Sequence, residues 1–292
     1  MITMECGNDM LRLGILPECG GKIRSLMDRR TGLEWLWTNP NLPQVVPEYG
    51  QNFERHLDTG GWDELFPSVV PCDVDGIAVP DHGDLVSLPW EVLEQADGVL
   101  SMQATARSIP ATLRREIRLV DGAPEFLLSY TLTNHADRSQ PFLVATHPLF
   151  GMEPGSRLDL PDEAVFRIAG VVGHAPVGKL IRAGELNALL SDKSGVWAMK
   201  LFSQPGTLSE VGFFRPDGAG IRMSWDVEDL PVLGLWVNHA GWTGTGGAPY
   251  RNVGIEPGNA SCDALSDAVA DGSEGRLEPG EVRTWEVRVS LV

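Results

Sequence analysis

Long apolar runs are missing from this 292-residue chain. No stretch reaches the ~18–20 residues that a membrane-crossing helix needs. Basic residues are also scarce: 23 Lys and Arg stand against 40 Asp and Glu, a formal net charge of −17. Such a surface repels phosphate backbones and anionic lipid, so neither nucleic acid nor membrane is an expected partner. Cysteine is confined to Cys6, Cys19, Cys72 and Cys262, with no C-x-x-C pair, so no zinc or thiol-redox site is indicated. Met1 to Met10 carries Glu5 and Asp9 but no apolar segment. No secretory leader is expected, and the reading is a cytoplasmic protein with reduced thiols.

What is present points to a folded, turn-rich chain. Hydrophobic residues make up 42% and charged residues 22%, the balance of a globular protein. With 33 Gly and 21 Pro, the chain reverses direction often. Trp285, Val287, Val289 and Leu291 alternate with Glu286, Arg288 and Ser290, which predicts a strand with one apolar face. Phe126, Leu128, Tyr130 and Leu132 alternate likewise, and residues 112–133 read as an antiparallel hairpin around Asp121-Gly122-Ala123-Pro124. Further strands are expected at Leu11–Leu16, Val99–Ala106, Phe142–Thr146, Val196–Phe202, Ile221–Trp225, Leu233–Val237 and Asn252–Ile255. Short helices are expected only at 262–270 and 182–191. No linker or composition break divides the chain. The pattern predicts an all-β fold, one large antiparallel β-sandwich over residues 1–292 with few short helices.

Four segments hold polar residues that strand patterning does not explain. Gly60-Gly61-Trp62-Asp63-Glu64-Leu65-Phe66-Pro67 reads as a tight loop, with glycines ahead of an aromatic and two carboxylates. Pro80-Asp81-His82-Gly83 places a His in a loop, where Asp81 can orient its ring. In Val144-Ala145-Thr146-His147-Pro148-Leu149-Phe150, His147 ends an apolar strand. In Val253-Gly254-Ile255-Glu256-Pro257-Gly258, Glu256 follows one and is held extended by Pro257. Each has a bland alternative: solvated loop acids with a core Trp, an exposed His, a buried His satisfied by backbone, and a surface Glu entering a turn. A carboxylate buried at a strand end without a role is costly, because desolvation disfavours its charge.

In order along the chain, these segments resemble the galactose mutarotase-like superfamily, which includes aldose 1-epimerases and hexose-6-phosphate epimerases. The resemblance is carried by Gly60 to Val70, Asp81-His82-Gly83 and Leu88-Pro89-Trp90-Glu91-Val92. To these are added His147 with Phe150, Leu235-Trp236-Val237-Asn238 and Glu256-Pro257. The opening Gly20-Gly21-Lys22-Ile23 and Glu34-Trp35-Leu36 also fit. The resemblance implies a large antiparallel supersandwich with a monosaccharide in a cleft across one sheet. It implies catalysis by Glu256, as the base on the anomeric hydroxyl, and His147, as the acid on the ring oxygen. His82, Asp81, Trp62, Asp63, Arg55 and Asn238 would contact substrate. No metal or organic cofactor is implied, since both steps are proton transfers.

The chain also departs from that pattern. Asp84-Leu85-Val86 follows His82-Gly83 where phosphate-binding members carry an Arg, so neutral sugars are expected to bind better than their 6-phosphates. Pro148 follows His147 in place of the commoner Thr-Tyr. The leading expectation is therefore an aldose 1-epimerase acting on a neutral hexose, as a monomer or homodimer. Two alternatives stay open: a sugar-binding protein without turnover, and a glycoside-cleaving enzyme using two carboxylates such as Glu256 and Asp63.

Overall fold

The structure, a computed structural model, describes residues 1–173, 176–244 and 246–292. Two large antiparallel sheets face one another. Among the described residues the larger has eleven strands. Its centre runs in the spatial order Lys22–Asp28, Trp62–Leu65, Ala145–Gly151, Arg251–Gly258, Val232–His239, Trp197–Ser203. The eight-stranded sheet is built around the expected hairpin, Ala111–Leu119 against Glu125–Asn134, with Val282–Leu291 alongside. This is the predicted mainly-β sandwich. Helices at Ala183–Ser191 and Leu265–Asp271 lie where short ones were expected.

The core fills the space between the sheets, because alternate residues of each strand turn inward. Leu13, Ile15, Leu235, Val253 and Ile255 of one sheet meet Leu113, Ile117, Leu128, Val287 and Val289 of the other, all fully buried. Aromatic rings bridge the layers: Trp62 to Phe126 at 6.3 Å and Phe150 to Phe213 at 6.1 Å between centroids. No helix among the described residues is long and apolar enough to cross a membrane. All four cysteines are free thiols.

Two expectations about strands are corrected. Residues 142–146 do not form one strand. Gln140–Phe142 pairs with Gly275–Leu277, and the chain then restarts as Ala145–Gly151 in the large sheet. At the break, Asn259 receives the Val144 N–H at 2.7 Å and donates to the Phe142 carbonyl at 3.2 Å. Trp62-Asp63-Glu64-Leu65 is not a loop but a fully buried central strand. Only the glycines before it turn: Gly60 and Gly61 have φ of 79° and 87°, and a Cβ on Gly60 would lie 2.1 Å from the Trp37 carbonyl oxygen. A side chain fits neither that conformation nor that space.

Candidate active site

The outward face of the large sheet carries a cleft of about 320 Å³, within the range of small-molecule sites. Its floor is set by strand register. Leu149 lies opposite Gly254, which puts His147 opposite Glu256, and His147 is also paired with Asp63 on its other side. Residues directly opposite share a face, so a cross-strand row of Asp63, His147 and Glu256 crosses the sheet. The inward-facing neighbours on the same strands are Trp62, Thr146, Phe150, Val253 and Ile255. Both His147 and Glu256 therefore lie within their strands rather than after them.

Glu256 and His147 are buried, and His147 Nε2 is 3.6 Å from Glu256 Oε1. The second oxygen, Oε2, accepts from the Lys200 ammonium, which also pairs with Asp263 at 3.2 Å. Among the described residues, Glu256 Oε1, His147 Nδ1 and Asn252 Oδ1 are buried without a hydrogen-bond partner, and all three residues line the cleft. Unpaired polar atoms at such depth are uncommon and mark where a ligand's own donors and acceptors fit. Gly254 leaves room beside the carboxylate: a Cβ there would come within 2.9 Å of Glu256 Oε1.

Burial, followed by the charges of His82, Lys200 and Lys22, pushes the His147 imidazole well below the ordinary histidine value. It is thus a neutral ring at neutral pH. Burial also disfavours the Lys200 ammonium, but Asp263 and Glu256 outweigh it and hold its pKa above the ordinary lysine value.

The wall is built by loops. Asp81 Oδ1 lies 2.8 Å from His82 Nδ1, fixing the ring. The His82 ring stacks on Phe53 at 3.4 Å and meets His147 edge-on at 5.7 Å. His82 has φ 59°, and its N–H donates to the Val69 carbonyl at 2.7 Å. A left-handed non-glycine residue is uncommon, and here it turns a ring toward the cleft. The Asp263 carbonyl in turn accepts from the Val69 and Val70 N–H groups at 2.9 and 3.0 Å. Phe53 and Glu54 come from a single π-helical turn, Phe53–Leu57, which ends at Asp58. Trp236 and Trp242, ring to ring at 6.3 Å, supply an aromatic surface.

Of the residues expected to touch substrate, His82 and Asp81 line this cleft with Glu256 and His147; four others do not. Trp62 is a core residue, packed on Phe126 and Phe150 with its indole N–H on Thr146. Asp63 shares the row but is held by Lys22 at 2.8 Å behind the cleft. Arg55 is exposed on the outside of its helical turn. Asn238 is fully buried and exchanges two hydrogen bonds with the Trp242 backbone, at 2.9 and 3.0 Å. It shapes the cleft through Trp242.

Asp84 is likewise no cleft residue: it is buried and accepts from Tyr49, the Arg107 and Ser108 N–H groups and the Ser108 hydroxyl. Sequence reasoning missed Lys200, Asn252, Asp263, Glu54 and Asp58. Only Lys200 left a signal, as a lone cation inside the apolar strand Trp197–Ser203.

No protein-family model and no curated protein matches the chain. Solved structures do. A Synechocystis sp. PCC 6803 protein superposes with TM-score 0.73 at 20% identity, over 99% of this chain and 95% of that one. A galactose mutarotase-like protein from Lactobacillus casei ATCC 334 gives 0.66 at 17% identity, over 100% of both chains. A candidate aldose 1-epimerase from Klebsiella pneumoniae subsp. pneumoniae MGH 78578 gives 0.73 at 21% identity, over 97% of this chain and 77% of that one. The chain therefore has the galactose mutarotase-like fold.

Proposed function

We propose that this protein catalyses anomer exchange of a monosaccharide, as an aldose 1-epimerase does. The observation that carries this reading is the unpartnered Oε1 of buried Glu256, 3.6 Å from His147 Nε2 on the floor of a cleft. An ionised carboxylate oxygen is an acceptor only, and a hydroxyl is the donor it lacks. Glu256 takes the proton of the anomeric hydroxyl, and the C1–O5 bond breaks with its electron pair going to O5. His147 donates its ring N–H toward O5. The aldehyde end rotates about C1–C2, and on closure from the other face O5 re-attacks C1 while Glu256 returns its proton to O1. The neutral His147 ring hydrogen-bonds O5 throughout and keeps its own proton. His82, fixed by Asp81, borders the same space.

The depressed pKa of His147 shapes the expected pH profile. A resting imidazolium would give activity a basic limb in the neutral range, whereas a neutral N–H donor does not. Activity should rise from acid and then stay level to about pH 8.

In the two-carboxylate glycosidase reading Asp63 drops out as the partner of Glu256, since it is tied to Lys22. A sugar binder without turnover keeps one supporting feature, the Lys200 ammonium on Glu256 Oε2. Polarimetry of freshly dissolved α-D-glucose and α-D-galactose separates the two readings. Acceleration over the protein-free rate that Glu256→Gln removes is the expected result. Binding without acceleration at any pH would leave only the binder.

A further inference from the structure

Charge in the cleft is lopsided. Among the described residues, those lining it include five acids, Glu54, Asp58, Asp81, Glu256 and Asp263, against the one ammonium of Lys200. Three of the five are accounted for: Asp81 holds His82, and Glu256 and Asp263 share Lys200. Glu54 and Asp58 remain. They stand four residues apart on the Phe53–Leu57 turn and its C-cap, and neither side chain has a hydrogen-bond or ion-pair partner among the described residues. Lys22, whose charge acts on Asp58, is spent: its ammonium serves the Leu57 and Gly60 carbonyls, the Thr59 hydroxyl and Asp63.

Two unpaired carboxylates on a solvated surface would mean little. Here burial pushes the Asp58 carboxyl up to about 7, and the pull of Lys22 and His82 does not offset it. The Tyr250 phenol is pushed up by burial first, and then by Asp58 and Glu54 together, so both charges act on the same region. An independent observation marks the cleft as a ligand site: Glu256 Oε1, on a side chain only 2% exposed, has no partner on its floor. The aromatic faces of Trp236 and Trp242 line the same space, and such faces attract cations.

We infer that the cleft is built for an amino sugar, a pyranose carrying a protonated amine that Glu54 and Asp58 receive while Glu256 and His147 address the anomeric end. This rests on the sugar-site reading above and adds a substrate class to it. An ammonium donates charge-assisted hydrogen bonds to both carboxylates, which a neutral hydroxyl does not match. The same wall repels a phosphate or carboxylate on the ligand.

Calorimetry of the full-length protein at about pH 7 with glucosamine, glucose, N-acetylglucosamine and glucose 6-phosphate tests the proposal. Glucosamine should bind about tenfold tighter than glucose, and that ratio should shrink in about 0.5 M salt. N-acetylation, which removes the charge, should abolish the advantage. In Asp58→Asn with Glu54→Gln the glucosamine-to-glucose ratio should fall to about one. The wild-type comparison stands by itself if that variant does not fold. Glucose binding as tightly as glucosamine overturns the amino-sugar proposal and leaves the sugar site intact. Binding of none of the sugars overturns both.

Discussion

The large sheet buries a carboxylate–cation pair on each of its faces. Glu64 points between the sheets, where its Oε1 accepts from Arg115 at 2.9 Å and from the Tyr130 hydroxyl at 2.8 Å. Glu256, two strands away, points into the cleft with Lys200 on one oxygen and nothing on the other. Both side chains are 2% exposed, so burial does not tell them apart. What differs is the oxygen buried deepest: Glu64 Oε1 accepts two hydrogen bonds inside the core, whereas Glu256 Oε1 is buried with no hydrogen-bond partner among the described residues and borders the cleft. A buried oxygen that already accepts two hydrogen bonds serves the fold, and one that accepts none is available to a ligand.

Replacement at each end of this comparison should give opposite phenotypes. Glu256→Gln should lower the catalysed anomer-exchange rate by about 10²–10⁴-fold with little change in the urea midpoint, measured by NMR exchange and by equilibrium unfolding. Wild-type rates in this variant would remove Glu256 from the chemistry. Glu64→Ala should do the reverse. It strands a buried guanidinium, so about 3–5 kcal/mol of stability should be lost, while molecules still folded keep their rate.

Glu64 also offers a pH test of the same contrast. Burial pushes its carboxyl from 4.5 up to about 7, against the pull of Arg115 and Tyr130. The folded state therefore holds more protons than the unfolded between those values, and this group's contribution to stability declines as pH rises from 4.5 to about 7. Relative to wild type, Glu64→Gln should lack that decline, and identical urea midpoints across the range would refute the linkage.

A smaller effect is expected at Lys200. Lys200→Met leaves Glu256 and Asp263 without their cation, but the cleft admits water to them. About 1–3 kcal/mol should be lost, less than for Glu64→Ala, and an equal or larger loss would contradict the difference between the two pairs. The smallest effect concerns His147, whose pKa is lowered from 6.5. Its ring should stay neutral in histidine NMR titrations down through the ordinary range. Because the unfolded chain takes up that proton more readily, the His147 contribution to stability fades as pH falls below 6.5. A ring titrating near the ordinary value would restore the imidazolium acid.

Most of the fold was legible because one-faced strands announce themselves by alternation, as at Phe126 to Leu132 and Trp285 to Leu291. Trp62–Leu65 was not, since its two acids look solvated to any local reading. Their cations, Lys22 and Arg115, are 41 and 51 residues away along the chain. His147 and Glu256 could be found because each sits in apolar surroundings that do not explain it. Trp62 and Asn238 misled for the opposite reason: their polar atoms are satisfied internally, by Thr146 and by the Trp242 backbone, and that pairing leaves no trace in composition. Glu54, Asp58 and Asp263 lie in turns where acids are ordinary, so only the folded chain brings them to one cleft.

The Lys22 ammonium belongs to a sheet strand yet grips the backbone from Leu57 to Gly60, the stretch that ends the cleft wall. Lifting that wall would leave a buried ammonium with only Asp63 for company, so wall and floor move as one body. The cleft then has its shape before a ligand arrives, and little conformational entropy remains to be lost on binding. Affinity in such a site is set by what the ligand brings, and crystals grown with and without sugar should superpose closely at Phe53, Asp58 and His82.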